Sequence, residues 1–195
     1  PWPWFGVTAE QLREAQRAYW ATISFVDAQV GRLLDAVEKL GIADRTVIVF
    51  WSDHGYHFGE HGLVMKMSNF ENSARVPLII ATPGQKARGS ASKRVVELLD
   101  LYPTLTDLCA VTAPANLQGK SLRALLDDPA AASDRPAVTQ VQRPRGAMGY
   151  SLRTERYRYT QWANGERELY DYETDPKELT NLANDPSREA LVKEL

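Results

Sequence analysis

The chain has 195 residues, of which 44% are hydrophobic and 25% are charged, and its net charge is -2. These values are typical of an ordinary globular protein, and the near-neutral charge argues against a surface that binds nucleic acid or membrane lipids. No apolar run approaches the roughly 20 residues that a membrane-spanning helix needs. The single cysteine excludes an internal disulfide bond and leaves the redox compartment open.

A long amphipathic helix is predicted near the start of the chain. Thr8 followed by Gln11 is typical of a capping box at a helix N-terminus. Apolar residues then recur at spacings of three and four from Leu12 to Leu40, and Gly41 follows where a left-handed C-terminal residue belongs. The length of the helix and its single apolar stripe favour packing on a sheet.

Two short apolar segments, residues 46–51 and 76–81, are predicted to be strands. A continuous apolar run is typical of a strand that is covered on both faces, as in the parallel sheets of α/β proteins. In open α/β sheets, ligands bind just beyond the carboxyl ends of such strands. A further helix is predicted downstream, which Asp100 can cap and which has Pro103 in its first turn.

The sequence pattern changes near Asp127, where DDPAAASDRPA has the composition of a linker. Beyond it, short, alternating, aromatic-rich segments indicate a small antiparallel sheet, and the Asn164-Gly165 pair is a strong hairpin signal. The predicted strands are 137–142, 147–154, 157–162 and 168–172, and a terminal helix is predicted over 187–195.

These patterns predict two domains in an α/β protein. Residues 1–127 belong to an α/β domain, and residues 128–195 form a small antiparallel β subdomain with a terminal helix. The change from helical periodicity to short alternating segments is the basis for this division.

The first predicted strand ends at an acid and an imidazole, Asp53 and His54, followed by Gly55, which permits a tight bend. Such a pair is suited to hold a metal ion or an anion. The alternative interpretation is structural: Asp53 caps the following turn and His54 fills a polar gap. Since a hard cation takes roughly six to eight oxygen ligands, the pair forms at most part of a metal site.

The other two histidines, His57 and His61, complete a spacing that resembles a zinc site on a helix. Glycines at positions 55, 59 and 62 make a regular helix unfavourable there, so we favour loop packing or a supporting role behind the metal ligands. Lys66 lies in a loop that is expected to return over the strand ends. It can neutralise an anionic oxygen as a point charge, although an isolated lysine is more often a solvated surface residue.

Several longer segments follow one another in an order that is known from one family. They are SDHGYHFGEHGLVMK, NFE, RVPLIIATPG, DLYPTLTDLC, LQGKSLRALL, YSLRTERYRYTQW and ELYDYETDPKELTNLA. Together they resemble the type I sulfatases of the alkaline phosphatase superfamily, and most closely the iduronate-2-sulfatase-like branch. The resemblance covers nearly the whole chain from Tyr19 onward. It implies an α/β fold, in which a sheet is sandwiched by helices and a small antiparallel sheet follows.

The resemblance implies roles for three residues. Asp53 and His54 match the positions that ligate a divalent cation, usually Ca2+, and Lys66 matches the lysine that holds a sulfate oxygen. The family's nucleophile is a formylglycine made from the cysteine of a Cys-x-Pro-x-Arg motif. Its hydrate attacks sulfur while the metal and lysines stabilise charge on the sulfate oxygens, which combines covalent catalysis with a Lewis acid.

Three departures from the family pattern matter. Imidazole suits zinc, copper or nickel better than calcium, so His54 leaves another divalent cation open. Val64-Met65 stands where close relatives have Trp-Gly before the lysine, which predicts a different substrate-facing loop. Cys109 is not followed by the required Pro and Arg and lies on the apolar side of a predicted helix, so we expect a buried, inert thiol.

The sequence therefore resembles the C-terminal portion of a sulfatase whose formylglycine and remaining metal ligands lie upstream. We expect this piece alone to be inactive, with the N-terminal half of the same protein as its partner and a sulfated sugar or other sulfate ester as substrate. The family implies export to the periplasm, the extracellular space or the lysosome. Neither a nucleic-acid partner nor a membrane span is expected.

Two other functions stay open. A phosphatase or phosphonate hydrolase of the same superfamily shares the Asp-His-Gly strand end, often uses two transition metals, and would have a Thr or Ser nucleophile upstream. A non-catalytic remnant that serves as a binding or structural module would be favoured if the gene began near Pro1.

Arginines are clustered on the predicted small sheet. They could meet an anionic sugar polymer, but alternating arginines on a sheet face are more often solvated or paired, here with Glu155 and Glu168. The cluster comprises Arg143, Arg145, Arg153, Arg156 and Arg158.

Overall fold

The computed structural model describes residues 6–133, 135–143 and 146–195, and it has the mixed α/β fold that the sequence predicts. The described chain divides into two compact units. The first contains the chain up to Lys66 together with Val76–Pro83, and the second contains Met67–Arg75 together with Gly84–Leu195. The predicted domain division after residue 127 rests on the sequence pattern rather than on these units, and it stays a prediction.

The first unit begins with helix α1, Ala9–Lys39, whose 31 residues match the predicted helix. Thr8 and Gln11 form the predicted capping box, since the amide of each donates to the side-chain oxygen of the other. Gly41 has the expected left-handed backbone, with a φ of 64°. No residue of α1 is buried, and Leu33 on its apolar stripe is 68% exposed. Tyr19 of α1 packs edge to face against Phe58, with ring centroids 5.1 Å apart, and the packing of the whole apolar stripe on a sheet stays a prediction.

Both predicted strands of the first unit are present, as β1, Ile48–Trp51, and β4, Leu78–Ala81. They pair with each other antiparallel, with Ile48 opposite Ala81. The expectation of a parallel arrangement is wrong for this pair, while coverage on both faces stays a prediction; within the described chain Ile79 is 61% exposed. An apolar run indicates that a strand prefers to be covered, but it carries no information about the direction of the neighbouring strand.

A small hairpin lies between these two strands in the sequence. Strand β2, His57–Phe58, pairs antiparallel with β3, Val64–Met65, and the short 3-10 helix Glu60–Gly62 joins them. Another 3-10 turn, Ala43–Arg45, precedes β1. The hairpin brings the chain back from the histidine-containing segment to Lys66, the residue that directly follows β3.

The helices of the second unit are short, and α3 matches the predicted helix with Pro103 in its first turn. Asp100 does not cap α3 with its side chain. Its buried carboxylate instead accepts from the amide of Lys120 at 2.9 Å and from Arg135 Nη1 at 2.6 Å. The helices are α2, Glu71–Ala74; α3, Leu101–Leu108; α4, Arg123–Asp127; and α5, Glu189–Glu194, with 3-10 turns at Leu98–Asp100 and Pro186–Arg188.

Cys109 is exposed, so the expectation of a buried thiol is wrong. Helix α3 ends at Leu108, and Ala110 has a positive φ of 53°. The chain therefore leaves the helix at Cys109, before the thiol can join the apolar side that the helical periodicity assigned to it.

The predicted antiparallel sheet is present in the second unit as a four-stranded meander in sequence order. Its strands are β5, Ala137–Gln142; β6, Met148–Arg153; β7, Tyr157–Trp162; and β8, Arg167–Asp171. The bounds of β5 and β7 are those predicted, and the other two differ by one residue at each end. Gly165 in the last hairpin has a φ of 87°, which glycine adopts without steric cost.

The register of this sheet separates an apolar face from a polar face. Leu169 and Val192 belong to the buried apolar cluster, which brings helix α5 onto the sheet. On the other face, Ser151 lies opposite Thr160, and both residues are 1% exposed. The neighbouring Arg158 is 2% exposed. The second face is therefore a buried polar surface, which is stable only if its hydrogen-bonding groups have partners.

The described residues contain no helix that combines the length and the apolar character needed to cross a membrane.

Candidate active site

The first predicted site residues lie where β1 ends. Ser52 Oγ donates to the carbonyl of His54 at 2.9 Å, and Asp53 Oδ1 accepts from the amide of His54 at 3.1 Å. These short-range bonds turn the chain immediately after the strand. The side chain of Asp53 is 82% exposed. Its carboxylate therefore stands in an open position at the strand end, where a ligand has access.

The His54 ring contacts a different partner at each nitrogen. Nδ1 lies 2.8 Å from the carbonyl oxygen of Gly55, and Nε2 lies 2.6 Å from Lys66 Nζ and 3.6 Å from Asp53 Oδ2. A carbonyl oxygen only accepts, so Nδ1 carries the proton in this arrangement. Nε2 then presents its lone pair to the lysine ammonium. This tautomer, fixed by a backbone carbonyl, is the one in which a histidine presents Nε2 to a metal ion.

The structure thus brings together the three residues that the sequence singled out, Asp53, His54 and Lys66. One carboxylate, one imidazole lone pair and one ammonium group meet at the end of β1. Within residues 6–133, 135–143 and 146–195, no group of three or more His, Cys, Asp or Glu side chains is close enough to hold a metal ion. Asp53 and His54 therefore offer two metal ligands, fewer than the roughly six to eight oxygen ligands that calcium takes.

The two remaining histidines lie on the small hairpin. His57 is fully buried, and its ring packs edge to face against His61, with ring centroids 5.9 Å apart. His61 has a left-handed backbone, with a φ of 55°, inside the turn between β2 and β3. The packed ring pair agrees with the interpretation as loop packing, and a supporting role behind the metal ligands stays a prediction.

Met65, the residue before Lys66, has a left-handed backbone with a φ of 76°. For a residue with a Cβ this conformation costs about 1–2 kcal/mol, because Cβ approaches the following carbonyl oxygen. It is the position at which close relatives are expected to have glycine. The structure gives the physical reason for a glycine there, and it shows that this chain holds its lysine next to a strained residue.

Met65→Gly is expected to stabilise the protein by about 1 kcal/mol, because the relief of the left-handed strain exceeds the entropic cost of glycine. The free energy of unfolding from urea titration checks this. Met67→Gly is the matched control, since Met67 lies two residues away and has no positive φ. Equal destabilisation by both substitutions would contradict the assignment of strain to Met65.

The predicted arginine cluster is mostly paired. Arg153 bonds to Glu71 at 2.6 Å, Arg156 to Asp171 at 2.7 Å and Arg158 to Glu178 at 2.8 Å. Arg143 stacks over the ring of Trp162, 5.7 Å from its centroid. Arg145 lies outside the described residues.

The partners of the paired arginines are not the two that the sequence suggested. Glu155 bonds to Arg94 at 2.7 Å, and Glu168 accepts from Trp162 Nε1 at 2.7 Å. The interpretation of paired arginines is thus right for three members of the cluster, which pair with other carboxylates, while Glu168 interacts electrostatically with a fourth member, Arg143.

Sequence reasoning missed a buried network on the polar face of the sheet. Glu71, at the start of α2, accepts on Oε1 from Arg153 Nε at 2.6 Å and from Arg158 Nη2 at 3.0 Å, and its amide donates to Glu178 Oε2 at 2.8 Å. Arg158 and Tyr172 both donate to Glu178 Oε1, at 2.8 and 2.5 Å. We call these five residues the Glu71 network.

The charges of the Glu71 network set the protonation state of Glu71. Burial raises the pKa of its carboxyl group, but the bonds and charges of Arg153 and Arg158 outweigh this and leave that pKa below its ordinary value. Glu71 is therefore ionised at neutral pH. The NFE motif of the sequence contains this residue, but nothing in the motif indicates that its partners lie in the C-terminal sheet.

Two family profiles match the chain. The profile described as "Sulfatase" matches residues 4–111, and the one described as "N-sulphoglucosamine sulphohydrolase, C-terminal" matches residues 59–195. Each covers more than half of the chain, and together they cover nearly all of it. The chain belongs to the sulfatase family.

Curated relatives agree with this assignment. The chain is 38% identical to a choline-sulfatase of Rhizobium meliloti over 93% of the chain and 36% of that protein. It is 31% identical to human iduronate 2-sulfatase over 94% of the chain and 46% of that protein. The recognition of a C-terminal sulfatase portion is confirmed, with iduronate 2-sulfatase among the relatives. The chain spans about a third to under half the length of these relatives.

Solved structures share the fold. A protein in complex with its substrate D-glucosamine-2-N,6-O-disulfate matches with a TM-score of 0.88 and 32% identity, over 95% of this chain and 39% of that chain. A phosphonate monoester hydrolase of Agrobacterium radiobacter matches with a TM-score of 0.86 and 30% identity, over 96% of this chain and 40% of that one.

Proposed function

We propose that this chain is the C-terminal part of a sulfatase and supplies one side of its active site. The observation that carries the proposal is the meeting of Asp53, His54 and Lys66 at the end of β1, in a chain that belongs to the sulfatase family. Lys66 places a positive charge where a sulfate oxygen would bind, and it gives up its contact with His54 to do so. Such a charge stabilises the negative charge that develops during ester cleavage.

Members of the family generally use a metal ion. We propose Asp53 and His54 as ligands of this ion. The carboxylate of Asp53 suits Ca2+, which is the first candidate, whereas the Nε2 atom of His54 suits a softer divalent cation better. The remaining ligands come from the part of the protein before this chain. When bound, the ion acts as a Lewis acid that polarises a sulfate oxygen.

The nucleophile is proposed to lie in the preceding part as well, as a formylglycine. Cys109, the single cysteine, lacks the Pro and Arg of the modification motif. The exposed apolar stripe of α1 and the exposed side chains on β1 and β4, such as Trp51 at 49%, are surfaces that the same preceding part would cover. This chain alone is therefore expected to be catalytically inactive.

The proposed substrate class is a sulfated sugar. Support comes from the related protein bound to D-glucosamine-2-N,6-O-disulfate and from a relative named N-acetylglucosamine-6-O-sulfatase, which is 33% identical to this chain. The family includes lysosomal and secreted sulfatases, so export of the protein is part of the proposal.

Phosphonate or phosphate ester hydrolysis is the second candidate. The match to a phosphonate monoester hydrolase at 30% identity favours it. The same three residues would then hold a phosphoryl oxygen, because sulfate and phosphonate esters present similar tetrahedral anions to a lysine and a metal ion. The nucleophile upstream, a formylglycine or a hydroxyl residue, distinguishes the two classes.

The test is hydrolysis of p-nitrophenyl sulfate, p-nitrophenyl phosphate and p-nitrophenyl phenylphosphonate by the whole protein and by the 195-residue chain. We expect the whole protein to prefer the sulfate ester and the isolated chain to turn over none of them. Preference for a phosphorus ester would select the second candidate. Turnover by the chain alone, or inactivity of the whole metal-loaded protein on all three, would overturn the proposal.

A further inference from the structure

We propose that the Glu71 network positions Lys66, so that the polar face of the C-terminal sheet controls how well the active-site lysine holds its sulfate. This inference rests on the proposed role of Lys66. It gives Glu71 and Arg153 a function as positioning residues that act through Lys66, in addition to their contribution to stability.

The first observation is the path of the chain. The segment Met67–Arg75 belongs to the second compact unit, whereas Lys66 belongs to the first. The main chain therefore crosses from one unit to the other at the peptide bond between Lys66 and Met67. Lys66 is therefore covalently attached to a segment that belongs to the same compact unit as the small sheet.

The second observation is how firmly this segment is held. Glu71 is bonded through its side chain to two arginines and through its amide to Glu178, partners that lie 82 to 107 residues away in the sequence. The ring of Phe70 packs on Tyr170 of β8, with centroids 5.9 Å apart. The network is also closed, since Arg153 stacks 3.6 Å from the ring centroid of Tyr172. The two carboxylates balance the two guanidinium groups, so the network carries no net charge. It therefore acts by fixing the position of the main chain and not by an electrostatic effect on Lys66.

The third observation is the strain on the other side of Lys66. Met65 has a φ of 76° and does not adopt this conformation unless its surroundings impose it. Lys66 thus lies between a strained residue and an anchored segment. Release of the anchor lets Met65 relax, and this relaxation moves the backbone that carries the lysine.

The test is a double-mutant cycle in the whole protein, with kcat/KM for p-nitrophenyl sulfate as the readout. Glu71→Gln is expected to lower kcat/KM about 10- to 100-fold, the range found when groups that orient an active-site residue are removed. In a Lys66→Ala background, Glu71→Gln should change kcat/KM by less than about twofold, because the residue it positions is gone. Arg153→Lys, which keeps the charge and removes the Nε donor, should show the same pattern with a smaller loss.

Leu169→Ala is the control for stability alone. Leu169 is fully buried on the opposite, apolar face of the same sheet. It should lower the melting temperature at least as much as Glu71→Gln while leaving kcat/KM at 25 °C within about twofold. Should Leu169→Ala not fold, Val192→Ala on the same face replaces it.

Equal losses from Glu71→Gln in the two backgrounds, or an equal loss of kcat/KM in the apolar-face control, would overturn the positioning role and leave the network purely structural. These outcomes differ from failure of the proposed function, in which the wild-type protein hydrolyses no sulfate ester at all.

Discussion

Lys66→Ala in the whole protein is expected to lower kcat/KM for a sulfate ester by about 10²- to 10³-fold, the range for removal of one preorganised group that faces developing charge. The physical reason is the position of the ammonium group, 2.6 Å from His54 Nε2, an atom that also lies 3.6 Å from the open carboxylate of Asp53. Steady-state kinetics with p-nitrophenyl sulfate measure the effect. Lys66→Arg should recover part of the loss, because it keeps the charge with a different shape.

Lys86→Ala is the matched control for this prediction. Lys86 is a lysine of the second unit, its Nζ lies 3.7 Å from a carboxylate oxygen of Asp127, and its side chain is 75% exposed. A solvated pair of this kind contributes little. Activity of Lys86→Ala should equal that of the wild type, and activity of Lys66→Ala within about threefold of wild type would remove Lys66 from the site.

Arg158→Leu is expected to lower the free energy of unfolding by about 3–5 kcal/mol, the cost of leaving buried charges without their partner. Arg158 is 2% exposed and bonds to Glu178, which is equally buried, and to Glu71. Urea denaturation of the whole protein measures the change. Lys193→Ala, which breaks the exposed pair with Glu189, is the control and should cost no more than about 0.5 kcal/mol.

The difference in the free energy of unfolding between the wild type and Arg158→Leu is also expected to depend on pH. The pKa of Glu71 is lower in the folded protein than in the unfolded chain, so its contribution to stability is present above the unfolded value and is lost as pH falls through the folded value. Once Glu71 has taken up its proton, its neutral carboxyl group no longer needs the charge of Arg158. The stability difference between wild type and Arg158→Leu should therefore shrink in acid, and a difference independent of pH would contradict the account.

Local sequence patterns predicted the elements whose structure depends on near neighbours. Helix α1 has its apolar spacing, its capping box and its terminal glycine within one segment, and its observed bounds follow them. The C-terminal meander has short strands and a turn pair at Asn164-Gly165 that fix the register between adjacent strands. The direction of β1 against β4 depends instead on a partner 33 residues away, as in the pair Ile48 and Ala81, and the apolar pattern alone does not determine it.

The same distinction applies to the site. Asp53, His54 and Lys66 lie within one short segment, and family resemblance together with a turn at Gly55 was enough to expect them near one another. The Glu71 network was missed because its partners lie up to 107 residues apart and carry no local spacing rule. The prediction that the Cys109 thiol is buried failed for a local reason. The helical spacing assigned Cys109 to the apolar side of the helix, but the helix ends one residue earlier.

The most direct measurement of the central claim is a crystal structure of the whole protein with its metal ion bound. The account predicts that a carboxylate oxygen of Asp53 and Nε2 of His54 lie about 2.0–2.6 Å from the ion. It also predicts that Lys66 Nζ has left its contact with His54 and points to the sulfate position. An ion bound without Asp53 and His54, with the bond between Lys66 and His54 still in place, would contradict it.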